Sequence, residues 1–219
     1  MDAYDLLIDG YRAFRKRYLG DAAEDWRHWA GKPQAPRIMV IGCSDSRVNP
    51  AILTHAGLGD LFVVNNIANI VPAFAEGRHT HRSVGAALQY AVTVLKVEHV
   101  IVMGHSSCGG VRALMSGIGD IDEATQDDYV AGWIRELEPA RAAVLADMPD
   151  VPFEEQCQVC ELEGVLVSIG NLLTYPFVRA AFDEGRLSLH AWYFMIESGD
   201  MLSYDYEKGE YCRLIRPLG

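Results

Sequence analysis

Two short stretches carry most of the side chains able to do chemistry. In GCSDSRVNP, residues 42–50, a thiol, a carboxylate and a guanidinium occupy every second position, as Cys43, Asp45 and Arg47. In GHSSCGG, residues 104–110, an imidazole and a second thiol follow, His105 and Cys108. Two thiolates and an imidazole make a Cys₂His zinc set, one ligand short of the four that structural zinc sites use. A fourth position left for water or for a protein carboxylate is the mark of a catalytic site. A single Cys after a buried strand is usually a small hydrophobe. What points to metal is the joint pattern, in which each half is polar and glycine-punctuated within an apolar context.

The elements that must position these residues are legible as runs. RIMVIGC (37–43), DLFVVNN (60–66) and EHVIVMGH (98–105) are short, continuous and rich in β-branched residues, as strands buried on both faces of a parallel sheet are. Asn49 before Pro50 is a helix cap followed by a favoured first position, residues 81–96 repeat near 3.6, and GGVRALMSG opens a helix after the third strand. Residues 121–175 read as mostly helical, and Gly199-Asp200 between two strand-like runs marks a hairpin at the sheet edge. At the N-terminus two helices are expected, the first ending on Gly20 and the second capped by Asp21 and stopped by Gly31. The expected fold is therefore one α/β domain over residues 1–219. A helical arm spans 1–31, and a core spans 37–219, with about four parallel strands, an antiparallel edge and helices on both faces. In such sheets sites form at the carboxyl ends of strands, at a topological switch point. The ends of the first and third strands then bring Cys43, Asp45, Arg47, His105 and Cys108 together.

Composition narrows the function. The 219 residues are half apolar with 22% charged, a globular balance. A formal charge of −11 with no basic cluster longer than RKR argues against nucleic acid or an anionic membrane as partner. No leader pattern and no apolar run long enough to span a bilayer is present, so the expected location is the cytoplasm. Five cysteines, an odd number in such a chain, favour metal or catalytic thiols over a disulfide framework.

CSDSRV, then LFVVNNIANIVP, then VIVMGHSSCGG resemble the signature set of the β-class carbonic anhydrases, and CELEGVLVSIGNLLTYPFVR resembles the plant-type branch in particular. The likeness extends from about residue 34 to residue 198. It implies Zn²⁺ held by Cys43, His105 and Cys108, with Asp45 and Arg47 as a dyad beside it. It further implies Gln34, Phe62 and Ile67 lining a cramped apolar pocket, partly supplied by a neighbouring subunit, and a homodimer or homotetramer. The implied reaction is reversible hydration of CO₂ to bicarbonate and a proton by zinc-bound hydroxide. The chemistry is coherent in itself, because zinc lowers the pKa of bound water from 15.7 towards ~7. Asp45 can orient that hydroxide if Arg47 holds the carboxylate off the metal, and the Gly109 N–H can donate to a substrate oxygen. The same site acting on COS or CS₂, and a non-catalytic zinc-binding homologue, are the competing readings.

The sequence also departs from the family pattern. Where the family reads FVVRN this chain has FVVNN, so Asn65 stands for an arginine; Val40 and Phe194 stand for the tryptophan and tyrosine that hold an inhibitory bicarbonate in one branch. No bicarbonate-driven closure is therefore expected. Cys157 and Cys160, three apart on a helix, read as thiols sharing one face, with no second pair to make a metal site. Cys212 reads as structural. His28, His55, His99 and His190 have no ligand partners at convincing spacing, and His79 and His81 fall in a polar loop where they could shuttle protons.

Overall fold

In the computed structural model the residues described are 2–21, 23–75, 82–118 and 129–215. They fall into two compact units, Met1–Ala35 and Pro36–Gly219.

In the first unit α1 (Ala3–Arg15) runs on through a π-helical turn, Lys16–Asp21, before α2 (Ala23–Ala30). The stop expected at Gly20 does not occur. A wider turn, which runs to Asp21, absorbs the glycine. Gly31 does end α2, its N–H bonding back to the Arg27 carbonyl at 3.1 Å. The ring of Trp26 joins the two helices, meeting Phe14 edge-on at 5.7 Å and lying 5.2 Å from Trp29.

The second unit is built on one six-stranded sheet. Its strands are β1 (Ile38–Cys43), β2 (Leu61–Asn66), β3 (His99–His105), β4 (Ser188–Phe194), β5 (Met201–Asp205) and β6 (Glu210–Arg213), in spatial order β2-β1-β3-β4-β5-β6. The first four in that order are parallel and the last two antiparallel, which is the expected architecture. From β1 the chain steps outward to β2 and then crosses to β3 on the other side. The switch point therefore lies between β1 and β3. Gly199, at φ 74, turns β4 into β5 as the hairpin signal predicted.

Short helices leave the strand ends. Asn49 caps α3 (Pro50–Leu53) by accepting from the Ala51 and Ile52 N–H groups. The helix expected over 81–96 is described from Arg82, as α4 (Arg82–Gln89), and continues as a π-helical stretch to Leu95. His79 and His81, the suggested proton shuttles, lie outside the described residues. After β3 come α5 (Gly109–Met115), α6 (Tyr129–Ile134), α7 (Glu138–Asp147), α8 (Phe153–Leu172) and α9 (Pro176–Asp183). Helix α8 is the spine of the core. Its Val165, Ile169 and Leu172 pack with Met39 and Ile41 of β1 and Val100 and Val102 of β3, while its Cys157 and Cys160 join Val111, Leu114 and Ile134. Gly104 of β3 lets it approach closely, since a Cβ there would lie 2.5 Å from Val165 Cγ2. The bland reading of the C-x-x-C pair holds: both thiols are free and buried, and burial pushes Cys160 up to about 12. Among the described residues no single helix is long and apolar enough to cross a membrane.

Candidate metal centre

Register sets the site. Cys43 is the last residue of β1 and lies opposite Asn66 of β2, while His105 ends β3 on the other side of β1. Cys108 follows after a turn in which Ser107 is left-handed, at φ 60, and α5 begins at the next residue. The Sγ atoms of Cys43 and Cys108 and one ring nitrogen of His105 lie within 4.8 Å of one another, and all three residues are buried. Bonds of ~2.3 Å to sulfur and ~2.0 Å to imidazole nitrogen suit a cation placed among them.

The donor chemistry fits that cation. His105 Nδ1 is engaged with the Ser106 carbonyl at 2.8 Å, which fixes the ring and leaves Nε2 to face inward. That Nε2 is buried with no hydrogen-bond partner among the described residues. Buried polar atoms are almost always satisfied, so an orphan nitrogen between two thiols is what a missing metal bond leaves behind. Electrostatics agree. The Cys43 thiol is held well below its usual range, chiefly by the Cys108 thiol beside it, with help from the Asp45 and Ala68 N–H groups and against the effect of burial. The same pairing, together with burial, holds the Cys108 thiol up. Two adjacent buried thiolates repel each other, and a dication between them relieves that repulsion. Zinc is the metal that two thiolates and an imidazole fit.

Beside this set stands the dyad. Arg47 Nε donates to Asp45 Oδ1 at 2.9 Å and Nη2 to Oδ2 at 2.7 Å, and the Arg47 backbone N–H adds a further bond to Oδ1 at 2.9 Å. This planar fork holds the Asp45 carboxyl well below the usual carboxylate range. Asp45 is not one of the three clustered ligands.

The remaining predicted residues divide. Gly109 opens α5 immediately after Cys108, and Ile67 lies against Gly110, where a Cβ would sit 2.8 Å from Ile67 Cγ2. Phe62 is not brought to the centre within the chain. It is the second residue of β2, opposite Met39 at the amino end of the strand and so remote from the carboxyl ends where the ligands sit, with its ring against the core and 6.1 Å from Tyr90. Gln34 lies exposed in the first unit. Of the anion-pocket positions, Val40 is buried with Ile101 and Met103, Phe194 packs in the separate cluster that holds Cys43, and Asn65 is exposed, so none presents a cation.

Five supporting residues, Ser106, Ser107, Glu161, Tyr193 and Glu197, are not read from the sequence. Ser106 and Ser107 donate to the two oxygens of Glu197 at 2.6 and 3.0 Å. Glu161 of α8 accepts the Cys108 N–H at 2.8 Å and the Tyr193 hydroxyl at 2.6 Å; burial pushes its carboxyl up while these two donors pull against it. One signal was available. Cys157, Cys160, Gly164 and Ser168 form a buried helical stripe, and a carboxylate at 161 falls on it.

A cation held at the carboxyl ends of parallel strands, with a carboxylate held beside it, is the arrangement of a mononuclear α/β metalloenzyme. The carbonic anhydrase family model matches residues 38–201. Beta carbonic anhydrase 3 of Arabidopsis thaliana is 41% identical over 94% of this chain and 80% of its own length. Among solved structures, the β-carbonic anhydrase CcaA superposes with a TM-score of 0.85 at 33% identity, covering 97% of this chain and 100% of that one. A tetrameric β-carbonic anhydrase from the filamentous ascomycete Sordaria macrospora superposes with a TM-score of 0.77 at 27% identity, covering 93% and 97%. The chain belongs to the carbonic anhydrase family, in its β class.

Proposed function

We infer that this protein is a zinc-dependent carbonic anhydrase, interconverting CO₂ and bicarbonate with release or uptake of a proton. The observation that carries the reading is the buried, unpartnered His105 Nε2 between two buried thiols, with Asp45 held beside them by Arg47. Cys43, His105 and Cys108 would hold the zinc, which when bound supplies the Lewis acidity that makes water a nucleophile near neutral pH.

The chain's own residues do the rest. Asp45 stays ionised, so it can only accept hydrogen bonds. Its Oδ1 already takes two donors, the Arg47 N–H and Nε, whereas Oδ2 takes one. A free lone pair on Oδ2 is therefore the acceptor for the attacking water, and it aims that water's remaining lone pair at the substrate carbon. The N–H of Gly109 is the donor available to a substrate oxygen, and Ile67 contributes apolar wall, which suits a molecule with little to hydrogen-bond. An intact dyad is also what a non-catalytic zinc protein would have no use for, and nothing in the site favours COS or CS₂ over CO₂.

Stopped-flow CO₂ hydration by the zinc-loaded protein, with Cys43→Ala as the blank, tests the reading. Fast turnover that the blank lacks is expected, and zinc-loaded protein without turnover would overturn it. Two thiolates leave the centre less positive than three imidazoles would, so the rate should climb on the alkaline side of neutrality. A profile flat from about pH 6.5 to about pH 9 would contradict this.

We further propose a cytoplasmic homodimer or homotetramer that bicarbonate does not close. The Sordaria relative described as tetrameric and the exposed apolar side chains of Ile52, Val63 and Ile67 support the assembly. Phe62 would then serve a neighbouring subunit's pocket. A fully active monomer by light scattering, an exported protein on fractionation, or bicarbonate bound beside Asn65 would each remove one part of this proposal.

A further inference from the structure

Beside the metal ligands lies a buried carboxylate that the reaction itself leaves unused. Glu161 is 6% exposed on α8, and both its oxygens are occupied, one by the Cys108 peptide N–H and the other by the hydroxyl of Tyr193, itself 0% exposed on β4. It lines one small void together with Ala68, Asn69, His105 and Cys108. Burying a carboxylate is costly unless its partners compensate, and an apolar side chain would fill this face of α8 without that cost. Packing alone does not account for it.

The loop that it touches needs support. Ser107 sits in a left-handed conformation that a serine keeps only where its surroundings over-determine it. Glu197 grips the loop from one side, through the Ser106 and Ser107 hydroxyls. Glu161 grips the other, at the peptide of Cys108, from 53 residues further along the chain. We propose that Glu161, seated by Tyr193, is a positioning residue that fixes the Cys108 peptide and with it the direction in which the Cys108 thiolate meets the metal. The proposal rests on the zinc reading of Cys43, His105 and Cys108, and Glu161 acts through Cys108 without touching substrate.

The test compares wild type, Glu161→Ala, Glu161→Gln and Tyr193→Phe in three ways. These are zinc retention against a competing chelator, the ligand-field and thiolate charge-transfer bands after cobalt substitution, and the melting temperature of the metal-free protein. Glu161→Ala is expected to bind zinc about 10–100-fold more weakly and to shift the cobalt bands, the usual range for losing a partner behind a metal ligand. Glu161→Gln keeps an oxygen for the Cys108 N–H and should restore most of both, with Tyr193→Phe in between. Wild-type affinity and bands in Glu161→Ala would overturn the proposal, and so would a Gln variant as poor as Ala, because charge and not position would then be at work. Should Glu161→Ala fail to fold, Tyr193→Phe decides: unaltered zinc competition and bands, with only a lower metal-free melting temperature, would make Glu161 a packing residue. If wild type takes up no zinc, the metal-site reading itself fails and this proposal with it.

Discussion

Arg47 is half exposed at its side chain, and a solvent-facing ion pair contributes little to stability. Its role is therefore geometric. Replacing Arg47 by Ala leaves Asp45 with only one backbone donor from that residue, free to swing from the direction in which Oδ2 is useful. Turnover should fall about 10–100-fold while zinc content stays the same. Arg47→Lys should recover only part of this, because an ammonium is a single point charge and cannot reproduce the fork. Wild-type kcat/KM in Arg47→Ala would reduce the pair to a loop contact. These residues were legible because they are neighbours in the chain: Cys43, Asp45 and Arg47 within five positions, His105 and Cys108 within four. Glu161 was not, because its partner lies far off in sequence and it resembles any surface glutamate of a helix until the stripe it interrupts is laid out.

At the scale of elements, the tightest joint is between β3 and α8. Gly104→Ala would place a methyl 2.5 Å from Val165 Cγ2, and a β-branched side chain in a helix has little rotamer freedom with which to move aside. The expected cost is about 1–3 kcal/mol of stability, seen as a lower melting temperature, and Val165→Ala in the same chain should return part of it. An unchanged melting temperature would mean that α8 can shift freely against the sheet, contrary to the packing described. The strands were readable as β-branched runs, and α3 from its Asn-Pro start. The π-helical stretches at Lys16–Asp21 and Tyr90–Leu95 were not, because an extra residue in a turn hardly disturbs an apolar period near 3.6. Nor was the left-handed pair Ala68 and Asn69, since alanine gives no hint of a positive φ. That pair matters to the site, because it turns the Ala68 N–H towards Cys43.

For the molecule as a whole, stability should depend on pH through a histidine remote from the metal. His190 of β4 lies 3.1 Å from His99 of β3, and burial, then the neighbouring ring, lower its pKa from the ordinary 6.5. Below that value the unfolded chain binds more protons than the folded one. Stability is thus complete above about 6.5 and is lost as pH falls through and beneath it. Denaturant midpoints measured from about pH 7 to about pH 5.5 should drop less steeply for His190→Asn than for wild type. Parallel slopes would show that the pair does not contribute. The fold class, the antiparallel edge and the meeting of the first and third strand ends were open to reading at this scale; the full strand order was not, because a β-branched run shows that a strand is buried without showing which strands flank it.

The ligands also come from the two ends of one long excursion. Cys43 and Cys108 close a segment that contains both β2 and β3, of which β2 stands at the sheet's margin, paired among the described residues with β1 alone. A cation joining them makes that excursion a closed ring, and the entropy of closing a ring grows only with the logarithm of its length. The metal is in this sense a clasp as well as a reagent. Of the two strands inside that ring, β2 is paired on one side and β3 on both, so an unclasped chain would fray at β2 first.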